Sequence, residues 1–165
     1  MLIQLNGSSS MRQNLVMSYS FEIDAQRGLL TLEFWGDYVG AGTDEAILSV
    51  LADVPLLERR KITRFAVDCR KVDSATLEDT DFSRVRRSER QFQHLLEMTD
   101  VEYRKHLEGL SLAAWIDSDS PTGELLVERL QRVHRSSNFG SAGICTTREQ
   151  YLMLLNLPPS LDISG

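Results

Sequence analysis

The residues best suited to chemistry fall within 65–82: Asp68, Cys69, Arg70, Asp73, Ser74 and Thr76. Phe65-Ala-Val-Asp68 reads as the end of an apolar strand, and Thr76-Leu-Glu-Asp79 fits a capping box that opens a helix. The polar residues between them then form an elbow over 68–76, at a strand end and a helix start. Ligands and phosphates are commonly handled at such places in α/β proteins. Ser74 and Thr76 are the candidate phosphorylation sites. A phosphate on either would meet the free N–H groups and positive end of a helix, opposed by Asp73, Glu78 and Asp79. The same hydroxyls would serve equally as plain helix caps. Cys69 has Arg70 beside it but no histidine in its vicinity, so it reads as a structural thiol rather than a nucleophile.

Just downstream, Arg84, Arg86, Arg87 and Arg90 cluster on one predicted helix. Guanidinium forks suit phosphate and carboxylate groups, so the cluster could receive an acidic partner. It could equally be a solvated face laced with local ion pairs. Gly36-Asp-Tyr-Val-Gly-Ala-Gly-Thr43 is glycine-rich but lacks both the Gly-Lys-Ser/Thr ending of a P-loop and GxGxxG spacing, so it reads as a strand-to-helix connection. His94, His106 and His134 show no ligand spacing, and Asp117 and Asp119 read as loop and capping residues. The residues imply no cofactor and no metal.

These groups must be positioned by a chain of 165 residues, enough for one domain with its own core. The apolar fraction of 42% and charged fraction of 25% are ordinary globular values. A net charge of -6 denies the chain the broad basic field that nucleic acid needs, so no nucleic-acid partner is expected. Two distant cysteines form neither a CxxC pair nor a disulfide framework, which points to a reducing, cytoplasmic setting. No apolar run has the length of a membrane span. Residues 1–16 read as a flexible extension, with Met11 and Met17 as alternative starts. The domain is expected over 17–158, with a tail over 159–165.

Within that domain, Tyr19, Phe21 and Ile23 alternate with polar residues, and Leu30, Leu32 and Phe34 do so after the turn Ala25-Gln-Arg-Gly28. Period-2 patterning across a short loop predicts a β-hairpin. Thr43 is an expected N-cap for a helix that Pro55 stops. After a charged connection and a third strand over 63–68, Phe82, Val85, Phe92 and Leu96 mark the stripe of a long helix. Residues 100–106 either continue it or form a second helix. Leu110-Ser-Leu-Ala-Ala-Trp-Ile116 predicts an interior strand covered on both faces. Pro121 opens a helix whose inner face is Leu126, Leu130 and Val133 and which ends at Asn138-Phe-Gly140. A short strand over 142–146 and a helix capped by Thr147 and Gln150 complete the order ββαβαβαβα: an α/β fold, with a mixed β-sheet and helices packed on it. Trp35 and Trp115 are not both expected in the core.

The opening hairpin, the strand Phe65-Ala-Val-Asp68 and the elbow Val72-Asp-Ser-Ala-Thr-Leu77 resemble the STAS / SpoIIAA-like proteins, the anti-sigma-factor antagonist fold. The resemblance covers residues 17–158 and is nearest the SpoIIAA-like branch with a longer central helix. It implies a non-enzymatic regulatory or protein-interaction module. In true antagonists an Asp-Ser-Ser-Gly motif carries a phosphorylated serine. Here the motif is Asp73-Ser74-Ala75-Thr76, so only Asp73 and Ser74 carry over. The implied working surface joins Asp68, Asp73, Ser74 and Thr76 to the arginines of the next helix, facing a protein partner or a second copy of the chain. The same fold resembles CRAL-TRIO lipid-transfer domains, which implies as an alternative a small apolar ligand held beside Trp35 or Trp115. An enzyme of unassigned class is the third reading; no nucleophile–base pair stands out to support it.

Overall fold

A computed structural model describes residues 2–4, 18–39, 42–76, 81–136 and 139–163. Two strands, β2 (Ser18–Asp24) and β3 (Leu29–Val39), form the predicted hairpin. Its turn closes on Gly28 at φ 59°, where a Cβ would lie 2.5 Å from the Lys61 carbonyl oxygen. Only glycine fits both constraints. Leu2–Gln4, inside the segment expected to be a flexible extension, pairs antiparallel with β2 as the edge strand β1.

From β3 onward the sheet is parallel: β4 (Arg64–Thr76), β5 (Ser111–Trp115) and β6 (Ser141–Cys145) follow in spatial order. Each crossover steps the same way across the sheet, so right-handed connections put the connecting helices on one face. These helices are α1 (Gly42–Ala52), α2 (Leu56–Lys61), α3 (Asp81–Leu96), α4 (Asp100–Glu108) and α5 (Pro121–Ser136). Beneath them lies the main core, with Leu30, Leu32, Phe34, Phe65, Leu96, Ile116 and Leu126 essentially inaccessible. The last helix, α6 (Arg148–Leu154), returns over the opposite face and seals a smaller core of Leu29, Ala66, Ala113, Tyr151 and Leu155. β5 is therefore covered on both faces, as its unbroken apolar run requires.

The expected order ββαβαβαβα is present with three additions: β1, the short helix α2 in the charged connection, and α4 as a helix of its own. Thr99 starts α4 with a full capping box, its hydroxyl taking the Glu102 N–H while Glu102 reaches back to the Thr99 N–H. Pro121 is the first residue of α5 as predicted, and Thr147 caps α6. Gln150 accepts from the N–H of Thr146 rather than from that of Thr147. Thr43 lies just inside α1, where its hydroxyl and N–H both meet the buried Tyr38 hydroxyl, at 2.6 and 3.3 Å. Asn138 lies outside the described residues, as do the side chains of Phe82, Val85, Leu130 and Val133.

Candidate functional site

The expected elbow is strand. β4 runs through to Thr76, with Ser74 opposite Asp37 and Thr76 opposite Val39. The register slips twice, between Glu33 and Trp35 and again between Gly36 and Asp37, so β4 carries two extra residues. Each bulge breaks the alternation of period 2. Cys69 and Val72 are buried and Ala75 is partly buried against the same core, a spacing of three that hides the strand in the sequence. Gly36 of β3, beside the second slip, has φ 73°, a conformation that glycine adopts at little cost. Across the sheet end, the Thr122 hydroxyl donates to the Asp73 carbonyl at 2.8 Å and ties β4 to the start of α5.

Ser74 therefore stands two residues inside a strand, not at a helix N-terminus, and the helix dipole expected to favour its phosphate does not reach it through an N-cap position. Its exposed hydroxyl donates instead to the Asp37 carboxylate. Asp73 and Thr76 are exposed beside it. The capping partners expected for Thr76 fall at 77–80, outside the described residues.

Asp68 lies earlier in β4, opposite Glu33. It is buried on the α6 side of the sheet and held by Arg70 through the backbone N–H at 3.0 Å and the guanidinium at 3.0 and 2.7 Å. The first bulge sets Arg70 and Lys71 on one face in succession, and Lys71 meets Glu33 at 2.8 Å. Arg70 also lies 3.5 Å over the Trp115 ring, whose centroid is 5.1 Å from that of Tyr151. The bond to Asp68 raises the guanidinium's pKa above its usual value. Cys69 is buried toward the main core, and burial followed by the Asp68 charge pushes its thiol far above the ordinary range, so it is held protonated and unreactive. Burial raises Cys145 to about 11. Tyr151 is raised by burial and then by Asp68, and its hydroxyl finds no partner among the described residues.

The α3 arginines separate into two roles. Arg84 turns toward α1 and pairs with Glu45 at 2.5 Å. Arg86, Arg87 and Arg90 point outward and are exposed, opposite the buried Ser88, Phe92 and Leu96. Where α3 ends, Arg90, Gln93, His94, Glu97 and Met98 line an open groove of about 500 Å³.

A second arginine pair, which the sequence reading passed over as a charged connection, lies on α2. Arg59 donates to the carbonyls of Leu95, at the end of α3, and of Ala52 and Val54, at the end of α1 (2.5, 3.2 and 2.8 Å). Arg60 donates to Leu96 and Glu97 at 2.9 and 3.0 Å. The last carbonyls of a helix lack intrahelical partners and carry its negative end, so cations there satisfy both needs. The signal that could have found them is position: basic residues between two helix ends.

Trp35 is 40% exposed, and Trp115 is packed between Arg70 and Tyr151. On the helix side of the sheet, Phe65 makes ring contacts with Phe92 and Phe139. No described helix is long and apolar enough to cross a membrane.

No family model matches this chain, and no curated protein matches it. Among solved structures it is similar to an uncharacterized protein of the DUF3478 family with a SpoIIAA-like fold from Shewanella loihica PV-4. The identity is 14%, covering 88% of this chain and 99% of that one, with a TM-score of 0.39. The mixed sheet with helices packed on it is the α/β arrangement expected from the order of elements.

Proposed function

We propose that this chain is a non-enzymatic, regulatory protein-interaction module. Its working surface is the end of β4, with Asp73, Ser74 and Thr76, together with the outward face of α3. The observation that carries the reading is Ser74: an exposed hydroxyl at the end of the parallel strands, bonded to Asp37 of the neighbouring strand. A phosphate there would replace a hydrogen bond with repulsion from Asp37 and Asp73. Modification would then loosen the end of β4 from β3 and change the surface offered to a partner. Among the described residues near this surface, Asp68 is engaged by Arg70, Glu33 by Lys71, and Cys69 is a buried thiol, which favours an interaction role.

Two measurements test this. Intact mass of the protein from its native cells should show a phosphorylated fraction that Ser74→Ala removes; unmodified protein under every growth condition would end the phospho-regulated form of the reading. A photoreactive residue in place of Thr76 should crosslink a protein in those cells. Its failure to crosslink any protein, together with failure of the same probe on α3, would end the module reading itself.

A further inference from the structure

The outward arc of α3 is built against itself. A solvated helix face normally sets carboxylates three or four residues from its cations. Arg87 has Ser83, Arg84, Arg90 and Gln91 at those distances, and Arg90 has Arg86, Arg87, Gln93 and His94. Not one is a carboxylate. Three of these spacings, 84–87, 86–90 and 87–90, bring two arginines together, and each like-charge pair destabilises the helix. Arg84 has Glu45, and Arg86 has Glu89 three residues on. Arg87 and Arg90 make no ion pair among the described residues and stand exposed. The local-ion-pair explanation considered for this cluster therefore fails for Arg87 and Arg90.

We infer that the arc of Arg86, Arg87 and Arg90 is a docking surface for a short acidic segment of a protein partner. This rests on the interaction-module reading and names the chemistry of the partner. Guanidinium forks can each take a carboxylate or phosphate in a two-point contact, and clusters of them are a recurring way to read acidic peptides. Two features of the chain limit the occupant. The net charge of -6 repels a long polyanion or an extended anionic surface, whereas a short segment need meet only the local patch. Glu97 ends the arc with a carboxylate at the far side of the groove, so the acidic stretch lies over residues 86–90 and its neighbouring side chains enter the groove beside Gln93, His94 and Met98.

The test is a fluorescence-anisotropy titration of the full chain with a labelled octa-glutamate peptide, with octa-glutamine, duplex DNA and phosphatidylserine vesicles alongside. Octa-glutamate should bind, weaken as salt rises, and lose at least tenfold in affinity in the double variant Arg87→Gln/Arg90→Gln. That variant should melt no lower than the parent, because removing like charges relieves the helix. Equal affinity in parent and variant, no octa-glutamate binding, tighter binding of DNA or vesicles, or a lower melting temperature each overturns the inference. Crosslinks from position 76 without octa-glutamate binding would leave the module reading standing and remove this one.

Discussion

Arg59 and Arg60 on α2 and Arg87 and Arg90 on α3 are the same side chain put to opposite uses. The α2 pair turns inward and donates to five backbone carbonyls at the ends of α1 and α3 and in the loops that follow them. The α3 pair turns outward, meets no carboxylate among the described residues and faces its own kind. Charge alone does not distinguish a fold-stabilising arginine from one kept for a partner. The distinction lies in whether the cation has carbonyls or carboxylates to satisfy, and in what its removal does to stability.

The sharpest way to break that contrast is Arg59→Ala. It orphans carbonyls at the ends of two helices, and a hydrogen bond to a charged group has a net worth of about 1.5–3 kcal/mol where water cannot replace it. A loss of about 2–3 kcal/mol is expected, seen as a lower urea midpoint with an unchanged slope. A change under about 0.5 kcal/mol, the size expected at an ordinary surface site, would show that the clamp is incidental.

A pH series probes the surroundings of Arg60 through the nearby His106. Burial, and then the Arg60 charge, lower the pKa of the His106 imidazole, whose Nε2 finds no partner among the described residues. The unfolded chain titrates near 6.5, so below that pH it binds the proton more readily than the folded one. Stability from this group is complete above about pH 6.5 and declines as pH falls through the lowered folded value. Urea midpoints at pH 8, 6.5 and 5.5 should show the decline, and His106→Asn should flatten it. An unchanged slope in that variant would assign the decline to the carboxylates.

Ser74→Ala is expected to cost less, about 0.5–1 kcal/mol, since its bond to Asp37 is exposed. The smallest effect has the opposite sign. Arg87→Gln/Arg90→Gln should stabilise by a few tenths of a kcal/mol, at the edge of what denaturation resolves.

These regions also differed in how well the sequence revealed them. The hairpin, β5 and α5 were legible because their burial is one-sided or complete, and periods of 2 or 3.6 record that directly. The end of β4 was not. Its two bulges place Cys69, Val72 and Ala75 three apart, and its partners, Tyr38–Val39 of β3 and the Thr122 hydroxyl, are distant in sequence. Polar residues that look like an elbow in one dimension are a strand once those partners supply its hydrogen bonds. The α2 arginines were illegible for a related reason: their acceptors are backbone carbonyls, which every residue carries and no motif marks. The α3 cluster was visible from its residue types. Its imbalance was also visible, in the absence of any carboxylate three or four residues from Arg87 or Arg90. What the structure adds is direction, since Arg84 turns to Glu45 while its neighbours do not.

The central claim is that the outward arc of α3 serves a partner rather than the fold. It is tested most directly by a photoreactive residue in place of Ser83, exposed on that arc, in native cells. A crosslink to an acidic segment of a protein is expected, lost in the Arg87→Gln/Arg90→Gln background while the melting temperature holds or rises. The same crosslink in both backgrounds, or a melting temperature that falls with the arginines removed, would contradict it.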